Sequence, residues 1–132
     1  MIEIPRPVYE EVIKHCKTCY PQEACGFVVG KDSVAHYFDP IENMDHSSIT
    51  YSMDPKQQMK SFKKWTKKKL SMIGIFHSHV ASSAYPSQTD KQQAFYSDVS
   101  YLIVSLANME RPDLKSFKIT GNQITPEELK IQ

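Results

Sequence analysis

Helical and strand periodicities interleave along the whole chain, which predicts an α/β class with a mixed central sheet. Three observations carry this. An amphipathic stripe runs from Val8 to Cys19, apolar β-rich runs occupy Glu23–Gly30 and Ser100–Leu106, and Asp54-Pro55 opens a second helix. At 132 residues the chain is expected to form a single domain over 1–132, large enough for one real core but not two.

Pro5 and Pro7 lead into the first helix, expected from about Val8 to Cys19. Val8, Val12, Cys16 and Cys19 recur at helical spacing with Ile13 beside them, while Glu10, Glu11, Lys14 and Lys17 fill the other face. That stripe accounts for Cys16 and Cys19 as core thiols, because free cysteine packs as a small hydrophobe. No second cysteine pair completes a four-cysteine metal site, and three cysteines do not make a secreted disulfide framework. Pro21 ends the helix. Glu23 to Gly30 then reads as a strand that opens on a carboxylate, with Cys25 on the face of Glu23 if the strand is regular. Lys31-Asp32-Ser33 turns into a second strand, Val34 to Phe38, making a hairpin. His36 lacks an adjacent ligand and is read as solvent-facing or strand-packed. Pro40 to Ser48 is a polar loop in which Asp45-His46 could invite a metal reading, but such loop residues are more often merely solvated. Ile49 to Met53, β-branched and aromatic, is a short third strand.

Asp54 as N-cap and Pro55 at the first helical position begin a helix to about Lys69. Its inner stripe is expected to be Met59, Phe62, Thr66 and Leu70, with Trp65 at the margin. Seven lysines, Lys56, Lys60, Lys63, Lys64, Lys67, Lys68 and Lys69, line the remainder. They read as a solvated face favourable to the helix dipole, the alternative being a patch for an acidic partner. Nucleic acid would call for more arginine and aromatic contacts. Met72 to Phe76 is a short buried strand running out into two histidines, and Val80 to Pro86 is a loop of small residues. A helix is expected from Ser87 to about Tyr96, a buried strand at Ser100–Leu106, a turn at Asn108–Pro112 and a strand at Leu114–Thr120. Gly121-Asn122 turns into an extended piece at Gln123–Thr125, and the tail from Pro126 to Gln132 is read as one weak turn.

The chemistry concentrates in Gly74-Ile75-Phe76-His77-Ser78-His79, followed after seven residues by Ser87-Gln88-Thr89-Asp90. In extended chain, residues i and i+2 share a side, so His77 and His79 project together and Ser78 faces away. Two imidazoles with a carboxylate nearby make an N,N,O set that zinc accepts with a fourth position open, the catalytic rather than the structural arrangement. Ser87 and Asp90 also read as a helix N-terminus with its capping acid. The two readings are compatible, since a capped helix start holds Asp90 still.

With Glu23 upstream in Pro21-Gln22-Glu23-Ala24-Cys25-Gly26, the pattern His-x-His-x7-Ser-x2-Asp resembles the signature of the JAMM (MPN-plus) zinc metallopeptidases, in their small prokaryotic form. On average residue usage such a string arises by accident in only about one chain in several thousand. The resemblance spans nearly the whole chain. It implies a curved mixed sheet with flanking helices, similar to cytidine deaminases, and one zinc per chain on His77, His79 and Asp90. It further implies Glu23 as general base and Ser87 as donor to the developing oxyanion. The implied substrates are ubiquitin-like proteins, sulfur-carrier proteins among them, cut at a peptide or isopeptide bond by a Gly-Gly tail. Deaminases themselves match poorly, because their zinc signature adds a Pro-Cys-x-x-Cys pair. A nucleophilic Cys25 paired with His77 or His79 would leave Asp90 and the other histidine without roles. The second reading is a non-catalytic, zinc-containing module that binds such a partner; the full ligand set plus Glu23 speaks against it.

Composition narrows the setting without naming a function. Hydrophobic residues are 40% and charged residues 23%, as in ordinary globular chains, and a net charge of +1 exerts no global pull toward nucleic acid or membrane. No apolar run approaches the roughly 20 residues of a membrane span. Met1-Ile2-Glu3-Ile4-Pro5 lacks the basic and apolar blocks of a signal peptide, so a cytoplasmic protein is expected.

Overall fold

The computed structural model describes all 132 residues. In chain order the elements are β1 (Ile2–Ile4), α1 (Arg6–Cys19), β2 (Cys25–Lys31), β3 (Val34–Ile41), α2 (Pro55–Lys67), β4 (Ser71–His79), α3 (Gln88–Gln92), β5 (Ser100–Ser105), β6 (Asp113–Thr120), β7 (Gln123–Glu127) and β8 (Leu129–Ile131). The eight strands make one sheet in the order β7-β6-β5-β4-β2-β3-β1-β8. It is mixed: β4 runs parallel to β5, and β1 runs parallel to both β3 and β8, while the other neighbours are antiparallel. The outermost strands β7 and β8 are separated in the chain by Glu128 alone. The sheet therefore has to curl until its two edges meet at that end. The Glu127 carboxylate sits in the closure, accepting from Ser116 Oγ at 2.7 Å and pairing with the Met1 ammonium at 3.4 Å and Lys118 Nζ at 3.8 Å. No helix is long and apolar enough to cross a membrane.

Alternation along the strands builds a core on each face of the sheet. Val8, Val12 and Cys16 of α1 pack with Ala24, Val28, Phe38, Phe76, Leu102 and Val104 on one face. Cys25, Phe27, Val29, Ile75, Tyr101 and Ile103 point to the other, where Trp65 of α2 and Ala94 after α3 cover them. Since Ile75 and Phe76 face opposite ways, His77 and His79 continue the Ile75 face and Ser78 the Phe76 face.

The observed class, a curved, nearly closed mixed sheet with few helices, is the expected one, but several elements differ from the sequence reading. Ile49 to Met53 is not a strand. Its only ladder contact is an isolated bridge from Met53 to Asn43, and Ile49 is 79% exposed. The side chain of Asn43 takes up the hydrogen bonds of this segment in place of a sheet neighbour. Alpha2 is also rotated from the expected stripe. Met59 and Phe62 are more than half exposed, whereas Ser61 is buried and Trp65 half-buried. The rotation follows from Ser61 Oγ donating to Asp39 Oδ2 and from Trp65 standing edge-on to Phe27 at 5.5 Å. Alpha3 stops at Gln92 rather than near Tyr96, because Tyr96 N–H is drawn to Tyr101 Oη at 2.9 Å as the chain turns into β5. The tail forms β7 and β8 instead of a turn, and Ile2–Ile4, not read as a strand, joins the sheet. Three-residue strands acquire their bonds only from distant partners.

Gly26 marks where β2 passes beneath the edge-on Phe38–Phe76 pair. A Cβ there would lie 2.5 Å from both the Asp39 carbonyl oxygen and Phe76 Cε1. Gly26→Ala should therefore cost about 1–3 kcal/mol, as overpacking does, and lower the denaturation midpoint. An unchanged midpoint would contradict this packing.

Candidate metal centre

The antiparallel ladder between β2 and β4 pairs Cys25 with His77. Running that register back two residues brings Glu23 across from His79. Beta4 extends through His79, beyond the Phe76 end expected from sequence, so both histidines stand on a regular strand and share its face. The loop after β4 returns through buried Ala84 and Pro86 to Ser87, the N-cap of α3. There a reciprocal capping box forms: Asp90 N–H donates to Ser87 Oγ at 3.1 Å, and Ser87 N–H donates to Asp90 Oδ2 at 2.8 Å. An isolated helix of five residues would not persist in water. The box is what holds Asp90 against β4.

The result is a tight convergence. His77 Nε2 and His79 Nε2 are 3.1 Å apart, and Asp90 Oδ2 lies 3.1 Å from the first and 3.0 Å from the second. Both histidines are buried, at most 5% exposed as residues. His79 Nδ1 is 2.8 Å from the Ser83 carbonyl oxygen and donates to it, which leaves Nε2 of the neutral ring a lone pair. That lone pair faces another ring nitrogen and a carboxylate oxygen. Such a cluster needs a cation at its centre, and two imidazoles with one carboxylate suit zinc. In the metal-free chain a proton plays that part. Burial opposes the charged form of His79, yet Asp90 and the Ser83 carbonyl together carry its pKa above the ordinary value. Burial also opposes ionisation of Asp90, but hydrogen bonds from both histidines hold its pKa well below the carboxylate range. His77 is shifted down, chiefly by burial.

Glu23 lies beside this cluster, just before β2 rather than within it, and is 5% exposed. Burial pushes its pKa up to about 7; the His79 charge opposes the shift and the Asp90 charge adds to it. The site thus holds two carboxylates whose affinities for protons are driven apart. Cys25, on the same face, is fully buried, and its thiol donates to the Ile41 carbonyl oxygen at 3.3 Å. Burial above all pushes its pKa up to about 12, so it remains a protonated core thiol. His36 and His46 are exposed, as expected.

Three features of the site escaped sequence reasoning. Tyr51 stacks on His77 with ring centroids 4.7 Å apart and planes 25° from parallel. Beside it opens a groove of about 680 Å³ lined by Phe27, Met53, Phe62, Trp65, Phe95 and Tyr96 among others. Phe62, Phe95 and Tyr96 are each more than half exposed there. Asn43, read as part of a polar loop, is buried and bonded at both ends of its amide.

The Glu23 shift has a sign that stability can report. Metal-free folded protein keeps the Glu23 proton to about pH 7, whereas the unfolded chain releases it near 4.5. The contribution of the neutral acid is whole below 4.5 and is lost as pH rises through 7. Glu23→Gln, which cannot ionise, should gain on wild type between pH 5 and pH 8 by up to about 3 kcal/mol. Denaturant titrations of both metal-free proteins at the two pH values check this; a gap that fails to widen would mean the carboxylate is not desolvated.

Comparison with known proteins agrees with this architecture. Residues 5–120 match the family described as prokaryotic homologues of the JAB domain. The chain is 30% identical over 122 residues to the CysO-cysteine peptidase of Mycobacterium tuberculosis, covering 91% of this chain and 84% of that one. It is 32% identical over 95 residues to a probable TtuB-protein conjugate cleaving protease of Thermus thermophilus, covering 71% and 64%. A solution structure of a Desulfitobacterium hafniense protein superposes with a TM-score of 0.91 at 37% identity, covering 100% of this chain and 93% of that one. A JAB1/MPN domain protein from Archaeoglobus fulgidus shares the fold with a TM-score of 0.65 at 16% identity, covering 100% and 97%. The chain belongs to the prokaryotic JAB family of JAMM/MPN peptidases.

Proposed function

We propose that this chain is a zinc-dependent peptidase that hydrolyses the peptide or isopeptide bond at the Gly-Gly tail of a ubiquitin-like protein, sulfur-carrier proteins among them. The observation that carries the reading is the convergence of His77 Nε2, His79 Nε2 and Asp90 Oδ2 within 3.1 Å of one another, beside a buried carboxylate poised near neutrality. The names of the mycobacterial and Thermus relatives point the same way, the first a CysO-cysteine peptidase and the second a cleaver of protein conjugates.

His77, His79 and Asp90 would hold one zinc ion. Zinc bound there supplies Lewis acidity, which lowers the pKa of a water from about 15.7 toward 7. Glu23 accepts the proton of the attacking water at its carboxylate and returns it to the leaving amine, the work of a general base turned general acid. Its raised pKa suits both halves of that exchange. Ser87 Oγ accepts from Asp90 N–H in the capping box, so its own O–H proton is free to donate to the carbonyl oxygen as negative charge develops. The Ser83 carbonyl keeps the proton of His79 on Nδ1 and its Nε2 available. The groove beside Tyr51 offers an apolar surface next to the ligands, bordered by the lysine-bearing α2, for the substrate protein.

Metal-replete protein should carry close to one zinc per chain by elemental analysis, His77→Ala should lose it, and a chelator should abolish cleavage that added zinc restores. Incubation with a ubiquitin-like protein bearing a peptide extension beyond Gly-Gly should release the extension, read by mass spectrometry. Wild-type protein free of zinc after such expression would sink the reading. Ser87→Ala should cost about 0.5–2 kcal/mol of stability through the lost cap and lower turnover by about 10²–10³. A stability loss with turnover intact would make Ser87 a cap alone.

A further inference from the structure

The bonds that fix Glu23 run to its backbone. Its N–H donates to the Ser47 carbonyl oxygen at 2.8 Å. The next peptide unit, between Glu23 and Ala24, is held at both ends by side chains. Its carbonyl oxygen accepts from Asn43 Nδ2 at 3.0 Å, and its N–H donates to Ser78 Oγ at 2.8 Å. Ser78 N–H in turn donates to the Ala24 carbonyl oxygen at 3.0 Å. Here the β2–β4 ladder has run out, and a hydroxyl replaces a strand carbonyl as acceptor for Ala24. Ser78 is wholly buried and Asn43 is 7% exposed, so water does not readily substitute for either.

Each clamping side chain is tied to the metal ligands by a separate route. Ser78 sits between His77 and His79 on β4, pointing to the opposite face, so the strand that projects the ligands also grips the peptide of Glu23. Asn43 Nδ2 also donates to the Thr50 carbonyl oxygen at 3.0 Å, and its Oδ1 accepts from the amides of Asp45 at 3.0 Å and Ser52 at 3.1 Å. Those bonds shape the loop carrying Tyr51, whose ring lies on His77.

We propose that Ser78 and Asn43 are positioning residues, which clamp the Glu23–Ala24 peptide and so set where the Glu23 carboxylate stands relative to His77 and His79. The inference rests on Glu23 acting as the base. Hydrogen bonds that order a general base within a fraction of an ångström act on turnover, because misplacement by about 1 Å costs on the order of 10²-fold.

The test uses zinc-loaded full-length protein and the Gly-Gly-extended ubiquitin-like substrate, with Ser78→Ala, Asn43→Asp and Glu23→Gln made singly and in pairs. Asn43→Asp keeps acceptors for the Asp45 and Ser52 amides while removing the donor shared by the Glu23 and Thr50 carbonyls. Both clamp variants should hold zinc near one per chain and keep KM within about threefold, while kcat falls by about 10–100-fold. In the Glu23→Gln background the same changes should cost nothing further, since there is no base left to misplace. Ser78→Thr, which keeps the hydroxyl, should restore turnover. Wild-type kcat in the zinc-loaded clamp variants, loss of zinc from Ser78→Ala, or an equal further loss on top of Glu23→Gln would each overturn the clamp. Should Asn43→Asp fail to fold, the Ser78 variants decide. Wild-type turnover by Glu23→Gln would overturn the base assignment and the clamp with it, an outcome distinct from an essential base with a dispensable clamp.

Discussion

The antiparallel pairing of β2 with β4 is the contact on which the site depends. It places Cys25 opposite His77, carries Glu23 to the level of His79, and ends where Ser78 takes over from the ladder. Shifting the register by one residue would turn His77 and His79 into the α1 core and leave Ser78 at the site, because side chains alternate strictly along a strand. The pairing is anchored from both faces. Phe76 packs against Phe38 at 4.6 Å over Gly26 on the α1 side, while Phe27 and Ile75 fill the other. The core thus specifies the chemistry indirectly, by making any other register bury the wrong residues.

Burial opposes ionisation of both carboxylates, yet their net states diverge because only one of them is richly hydrogen-bonded. Asp90 is reached by two imidazoles and by a backbone amide of its own capping box, and these overcome desolvation to keep it ionised. Glu23 has no comparable partner, and desolvation carries its pKa up to about 7. A pair of acids pushed apart in this way divides naturally into a permanent anion and an exchangeable proton carrier. In the proposed mechanism the anion is a ligand and the carrier is the base. The same field leaves Cys25 protonated, which keeps a third polar group on that face from competing for the cation.

The rotation of α2 connects packing to the outer surface of the site. Asp39 on β3 draws Ser61 inward and pairs with Lys64 at 3.9 Å, and Trp65 fills the space over Phe27. Met59 and Phe62 are turned outward as a consequence. The apolar groove beside Tyr51 is therefore built by polar anchoring at the helix's inner face. Lys64 and Lys68 lie over the Tyr37 ring at 4.5 and 4.8 Å, so part of the lysine-rich face is occupied within the chain itself.

What the amino-acid sequence determined by itself was local: helix and strand periods, the caps at Asp54 and Ser87, the shared side of His77 and His79, and the donor types of the candidate ligands. These are legible because they depend on neighbours within about four residues, where backbone geometry dictates direction. Glu23 was a different case, since nothing local distinguishes a carboxylate that will be buried beside the histidines from an exposed one; only its match to a family pattern marked it. Tertiary structure alone decided that Ile49–Met53 is a loop held by Asn43, that α2 faces inward through Ser61 and Trp65, and that the short ends of the chain close the sheet through β1, β7 and β8. Each depends on a partner far along the chain: Asn43 against Glu23, Asp39 against Ser61, Ile2 against Leu129. A polar side chain in a loop, or a three-residue strand at a terminus, has no energetic preference until that partner arrives. The desolvation that raises Glu23 is likewise a property of the assembled core, since burial exists only once the chain has folded around it.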